Sequence, residues 1–185
     1  MRDAEASKAK ILEAATDEFA TWGIAGARVE RIARTAGFNK NLIYIYFENK
    51  ETLFLTVLST HLTAVYDRLS FRPDDLAGYA AEVFDFAQNN PRIMKLMAWY
   101  SLEQQAKGIS ERGESLVQKM AALQQAQAAG QVSDAFPPAF LMTSIMALAT
   151  AWSALGPFGV FCDDIQAGDI RNMLQQMIEK LVRSE

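Results

Sequence analysis

The stretch Ala27–Leu53, ARVERIARTAGFNKNLIYIYFENKETL, decides how the rest of the chain is read. Its apolar spacing predicts a short helix over Val29–Ala36, a tight turn at Gly37, a second short helix over Lys40–Tyr46, and the start of a longer one after Asn49. Asn39 and Asn49 stand where a side-chain oxygen can accept from the free N–H groups at a helix start. Two helices joined by a turn of three or four residues containing Gly form the unit that lays its second helix in the DNA major groove.

Steps of about 100° per residue put Ile43 and Phe47 together on one face of that second helix. The opposite face presents Asn41 and Ile45, flanked by Leu42 and Tyr44, with Lys40 at the start. An outward Ile between Asn and Tyr is odd on a plain surface. It suits a major groove, where apolar side chains meet thymine methyls and Asn reads adenine. Lys40, Tyr46 and Lys50 suit phosphate contacts, and the start of the next helix offers N–H donors to an anion. With Arg28 and Asn39 at the helix starts, the candidate DNA contacts are Arg28, Asn39, Lys40, Asn41, Leu42, Tyr44, Ile45, Tyr46 and Lys50. The bland alternative is one more amphipathic helix pair in a bundle.

The bulk numbers suit a regulator better than a nucleic-acid coat. The net charge of the 185 residues is -4, but residues 1–50 hold eight Lys/Arg against seven Asp/Glu, while residues 51–185 hold ten against fifteen. A near-neutral reader on an acidic body can still bind DNA, because affinity follows local charge near the phosphates. Half the residues are hydrophobic, so the chain is globular rather than disordered. Cys162 is the single cysteine, which rules out an internal disulfide and a thiolate metal cluster. The N-terminal MRDAEASKAK has no apolar core of a secretory signal, so the expected location is the cytoplasm. Ala135–Cys162 carries no charge and is long enough to be weighed as a membrane span. Gly156-Pro157, four hydroxyl residues (Thr143, Ser144, Thr150, Ser153) and acidic flanks (Asp134, Asp163, Asp164) argue instead for a buried helix and no membrane.

Apolar periodicity predicts about nine helices and no strand. The first, Ala6–Trp22, has the stripe Leu12, Ala15, Phe19 and Trp22 and ends at Gly23. The fourth runs to about Arg68 with Phe54, Val57, Leu58, His61, Leu62 and Val65 inward. The rest are expected over Asp74–Gln88, Pro91–Ala106, Glu111–Ala129 (Leu116, Met120 and Leu123 inward), Pro138–Leu155 and Ala167–Arg183. The sixth is apolar around most of its circumference and reads as central to its domain. The last has Ile170, Leu174, Met177 and Leu181 on one stripe. The division expected is a DNA-binding head over residues 1–50 and a helical body over 51–185.

Catalysis is poorly supplied. His61 is the single histidine, mid-helix on an apolar face, and reads as a core or pocket-lining residue. Asp163, Asp164 and Asp169 lack the spacing of a calcium loop, and no phosphate-cradling glycine motif exists, so neither metal nor cofactor is expected. Met94, Met97, Trp99, Met142, Met146, Trp152, Phe158 and Phe161 read either as core or as the lining of a small-molecule cavity.

Lys8–Leu58 resembles the TetR (tetracycline-repressor-like) family of transcriptional regulators. The matching parts are Ile11-Leu12-Glu13-Ala14-Ala15 through Phe19 and Gly23, then Val29, Ile32-Ala33 and Ala36-Gly37. After these come Lys40, Ile43-Tyr44, Tyr46-Phe47, Asn49-Lys50-Glu51 and Leu53. The resemblance implies an all-α protein with a three-helix head, joined by a long helix to a ligand-binding and dimerisation body. It implies a homodimer paired through its last two helices, where Phe140, Ile145, Ile170, Leu174, Met177 and Leu181 are the candidates, bound to a double-stranded operator with two half-sites. It also implies release by a small, largely apolar inducer, with His61, Phe84, Met94, Met97, Trp99, Tyr100, Met146 and Trp152 as candidate lining. Where the family often has Ser or Thr at the start of helix 2, this chain has Ala27-Arg28. Asn41, Leu42 and Ile45 also depart from the common residues, which implies a different operator. A small helical enzyme, or an adaptor whose head contacts protein, are the rival readings.

Overall fold

The computed structural model describes residues 2–69, 71–103, 110–153, 156 and 165–183, and of 2–3, 64–68 and 110–116 the backbone only. Among these residues every regular element is a helix: α1 Arg2–Gly26, α2 Val29–Ala36, α3 Lys40–Phe47, α4 Lys50–Arg68, α5 Leu76–Asn89, α6 Pro91–Glu103, α7 Ser110–Ala128, α8 Pro138–Thr150 and α9 Ala167–Val182. Two compact units form, one from Met1–Val65 with Arg92–Lys107 and one from Tyr66–Pro91 with Gly108–Glu185. The first is larger than the head expected over residues 1–50, for it also takes in α4 to Val65 and the α6 segment.

The core of the first unit comes from α1 (Ile11, Ala15, Phe19), α2 (Ile32), α3 (Ile43, Phe47), α4 (Leu53, Phe54, Val57, Leu58) and α6 (Leu96, Tyr100). Phe54 joins them: its ring meets Phe19 edge-on at 5.1 Å and stacks near Tyr100 at 6.4 Å. Two sequence expectations need correction here. α1 buries Ile11 rather than the adjacent Leu12, and Trp22 lies exposed under the Arg31 guanidinium, 4.9 Å from its ring. α6 is not central to a domain, because only Leu96 and Tyr100 are buried and Leu102 is exposed.

In the second unit α5 packs against α8 and α9, and α7 against α8. Leu76, Ala80, Val83 and Phe84 of α5 meet Leu123, Leu141, Ile145, Ile170, Leu174 and Ile178 in one core. α5 starts at Leu76 because the Asp75 carboxylate accepts from the Gly78 N–H at 2.8 Å. α9 is fixed on α5 by Arg171, whose Nε donates to both Asp85 oxygens at 3.1 and 2.8 Å. The stretch weighed as a span resolves into a thirteen-residue α8 followed by a turn at Ala151–Ser153, short of the stop expected at Gly156. No helix among the described residues is long and apolar enough to cross a membrane. Leu155, Pro157, Phe158, Phe161, Cys162, Asp163 and Asp164 lie outside the described residues, as do the side chains of Val65 and Leu116.

The α2–α3 turn rests on Gly37, whose φ of 77° and ψ of 26° are left-handed, with the Phe38 N–H returning to the Ala33 carbonyl at 2.9 Å. A Cβ there would touch nothing within 4 Å, so the demand is conformational alone. Gly37→Ala should lower the unfolding free energy by about 1 kcal/mol in urea titrations, and Gly37→Asn by less, since Asn tolerates this region. Equal losses from the two would show that packing, not φ, is at stake.

Candidate nucleic-acid interface

α3 is eight residues long, and its shape is held from outside and from its start. Ile43 and Phe47 are buried, and the Asn39 carboxamide oxygen accepts from the Leu42 N–H at 2.9 Å. With that face fixed, the opposite face must project. Ile45 is 74% exposed and Tyr44 42%, beside an exposed Asn41. Leu42 and Tyr46 are half-buried at its edges. Tyr46 sets its ring edge-on to Phe47, with the Lys8 ammonium 5.5 Å from its centre.

The cations are less free than their number suggests. Lys40 Nζ lies 3.4 Å from the Glu30 carboxylate, both exposed. A hydrogen bond from its own backbone N–H, then Lys40, holds the Glu30 carboxyl below its usual range. Lys50 turns inward and donates to the carbonyls of Ala25 and Ala27 at 3.4 and 3.3 Å. In this arrangement it braces the α1–α2 junction. Arg28 begins α2 without a side-chain cap, and its N–H donates to Glu18 Oε1 at 2.8 Å. Glu18 also pairs with Arg31, at 2.6 Å to Nη2. Neither Glu18 nor Arg31 was a sequence candidate; two unlike charges beside the α1–α2 junction were the available signal.

The candidate ligand residues divide between the units. His61, Met94, Met97, Trp99 and Tyr100 belong to the first, and Phe84, Met146 and Trp152 to the second. Phe84 and Tyr100 are core residues. The others are half-buried, and the Trp152 indole N–H is enclosed with no hydrogen-bond partner among the described residues. Met146 places its sulfur 3.9 Å from the Tyr79 hydroxyl. The dimer candidates also divide. Ile145, Ile170 and Leu174 are enclosed in the core of one chain and cannot face a second, and Leu181 is packed against that core. The inward stripe of α9 is Ile170, Leu174 and Ile178, which leaves Met177 outward with Met173 and with Phe140 of α8.

Residues 11–57 match the family model of bacterial regulatory proteins of the tetR family, and residues 75–183 that of the tetracyclin repressor-like C-terminal domain. The chain belongs to the TetR family. The HTH-type transcriptional repressor SCO4008 of Streptomyces coelicolor is 38% identical over 159 residues, covering 84% of this chain and 82% of the relative. The solved structure of the regulator SCO4942 of Streptomyces coelicolor aligns with a TM-score of 0.86 at 31% identity, covering 95% of this chain and 98% of that one. FadR of Bacillus subtilis, solved in complex with stearoyl-CoA, aligns with a TM-score of 0.66 over 94% of this chain and 98% of that one; at 15% identity it shows the fold alone. As a TetR-family member the chain is a DNA-binding transcriptional regulator, and the matched segment 11–57 contains the whole of α2 and α3.

In the first unit of this TetR-family chain, a hydrogen bond fixes the tautomer of neutral His61. Thr16 Oγ1 donates its one proton to the Leu12 carbonyl at 2.7 Å, so it must accept from His61 Nε2, 3.1 Å away. Burial, aided by Arg92 and opposed by Glu13, pushes the imidazole below its ordinary value of 6.5. Between the depressed value and 6.5 the unfolded chain binds the proton and the folded one does not. The stability drawn from neutral His61 is therefore full above about 6.5 and falls as pH drops below it. Melting temperatures at about pH 7.5 and about pH 5.5 should diverge less for His61→Gln than for the wild type. An equal divergence would assign the acid sensitivity to other groups.

Proposed function

We propose that this chain is a homodimeric repressor, acting in the cytoplasm, that binds an operator of two half-sites and is released by a small, largely apolar ligand. The observation that carries the reading is Ile45, 74% exposed at the centre of a face that also offers Asn41 and Tyr44. In a major groove these three meet thymine methyls, adenine edges and backbone, while Lys40 and Arg28 lie near the phosphates. The exposed Lys40–Glu30 pair is weak enough in water to yield its lysine to a phosphate. Within residues 1–50, α2 and α3 read and α1 supports; the rest of the chain pairs and regulates. The repressor name of the 38%-identical relative supports the direction of regulation.

Pairing through α8 and α9 is supported by Phe140, Met173 and Met177, which are outward and apolar. A two-fold dimer then demands a roughly palindromic operator. The ligand reading is supported by half-buried Met146 and Trp152 in the second unit. Such a ligand releases DNA only by binding the DNA-incompetent arrangement more tightly.

Fluorescence anisotropy with duplex DNA from upstream of the chain's own gene tests the reading face. Tyr44→Ala and Ile45→Ala should each weaken binding about tenfold or more while the steep loss with salt persists. Wild-type affinity in both variants would mean that another surface meets the DNA. For the dimer, Phe140→Asp combined with Met177→Asp should sediment as a monomer at micromolar concentration. A dimer unaffected by both would remove this face from the interface.

A further inference from the structure

Gly23 breaks α1 with φ 65° and ψ -175°. The two N–H groups after the break point not along the helix but at a carboxylate from far along the chain. Ile24 donates to Glu103 Oε1 and Ala25 to Glu103 Oε2, each at 3.1 Å. Glu103 is the last described residue of α6, and α6 is fastened to α1 near its start too. There Arg92 meets Glu13 and Asp17, each at 3.0 Å. Between the ends, the approach is close enough that a Cβ on Gly23 would lie 2.8 Å from the Trp99 ring and collide with the Glu103 carboxylate. Gly23 is thus required twice, for its φ and for the helix laid against it.

The segment so gripped leads directly into α2. Charged side chains hold other groups of the segment: Lys50 on the Ala25 and Ala27 carbonyls, Arg31 on the Gly26 carbonyl at 3.0 Å, and Glu18 on the Arg28 N–H. Arg28 supplies no side-chain cap of its own, so the entry angle of α2 is set by this junction rather than by a capping residue. Three of the four clamps come from α1, α2 and α4. The fourth comes from α6, 79 residues beyond Ile24.

We propose that Glu103 is a positioning residue for DNA binding: by capping the broken end of α1 it fixes the pose of α2, and through α2 that of α3. The proposal rests on the reading of α3 as the face that meets the operator. Glu103 touches no DNA in it. A carboxylate accepting from two backbone N–H groups is a charge-assisted, geometrically specific contact, and its loss leaves both donors to water.

The test uses the full chain, upstream duplex DNA and three variants. Glu103→Gln is nearly isosteric and sits at an exposed position, yet one of its two terminal atoms can no longer accept. It should speed amide exchange at Ile24 and Ala25 and weaken operator binding about five- to tenfold, with dimerisation unchanged. Glu13→Gln loosens the other end of the same α1–α6 contact without touching the junction, and should leave operator affinity at the wild-type value even where it lowers the melting temperature as much. Gly23→Ala should weaken binding at least as far as Glu103→Gln, and adding Glu103→Gln to it should cost little more. Faster exchange with undiminished DNA binding would overturn the proposal, reducing Glu103 to a stabilising cap. Unchanged exchange in Glu103→Gln would overturn it at its root. A wild-type chain that binds no upstream duplex would instead sink the operator reading on which the proposal stands.

Discussion

An eight-residue helix is too short to persist in water by itself, so α3 takes its shape from its surroundings. Ile43 and Phe47 anchor one side in the core of the first unit, and Asn39 closes the N-terminal end. Everything the head presents outward follows from that anchoring. With the rotation of α3 set by two buried side chains, Ile45 cannot turn inward, and its exposure is enforced by the fold. The aromatic contact of Phe19 with Phe54 serves the same end, since it locks α1 to α4 behind the reader. Rigidity here has a physical use: an interface that contacts base edges loses less entropy when its helix is already in place.

The charges of the head are arranged to hold backbone as much as to attract DNA. Glu18, Arg31 and Lys50 all serve the α1–α2 junction, and the Arg31–Glu18 pair is well enough enclosed to be structural. Lys40 is paired as well, with Glu30, in a chain whose net charge is -4. Electrostatic attraction alone would give weak and indiscriminate binding, so in the proposed reading the discriminating work falls to α3 and its uncharged residues, Asn41, Tyr44 and Ile45.

What could be read in the sequence is what local rules determine. The bounds of α2, the turn at Gly37, the Asn39 and Asn49 caps and the inward pair of α3 all depend on neighbours within a few residues. The errors fall where two apolar residues stand side by side and the periodicity cannot choose. Ile11 and Leu12 are one such pair, and Met177 and Ile178 another; in each the isoleucine is the buried member. α6 failed for a different reason. Apolar residues around its circumference say that it is covered, not by what, and Met94, Met97 and Trp99 are only half-covered. Glu103 was invisible because its partners are backbone N–H groups, which carry no sequence signature at all.

The two faces of α9 show how far burial in one chain can be carried toward an assembly. Arg171 grips both oxygens of Asp85, which fixes the rotation of α9 on α5. With that rotation set, Ile170, Leu174 and Ile178 go inward, and Met173 and Met177 cannot reach the same core. A helix that served its own chain only would carry polar residues at those outward positions. Phe140 on α8 repeats the pattern, stacked on exposed Phe136 at 5.4 Å, both rings facing away from a core that is already filled. Two helices with apolar residues on the side their own chain does not use fit the proposed pairing. The residues that argue for it are the ones outside the inward stripe.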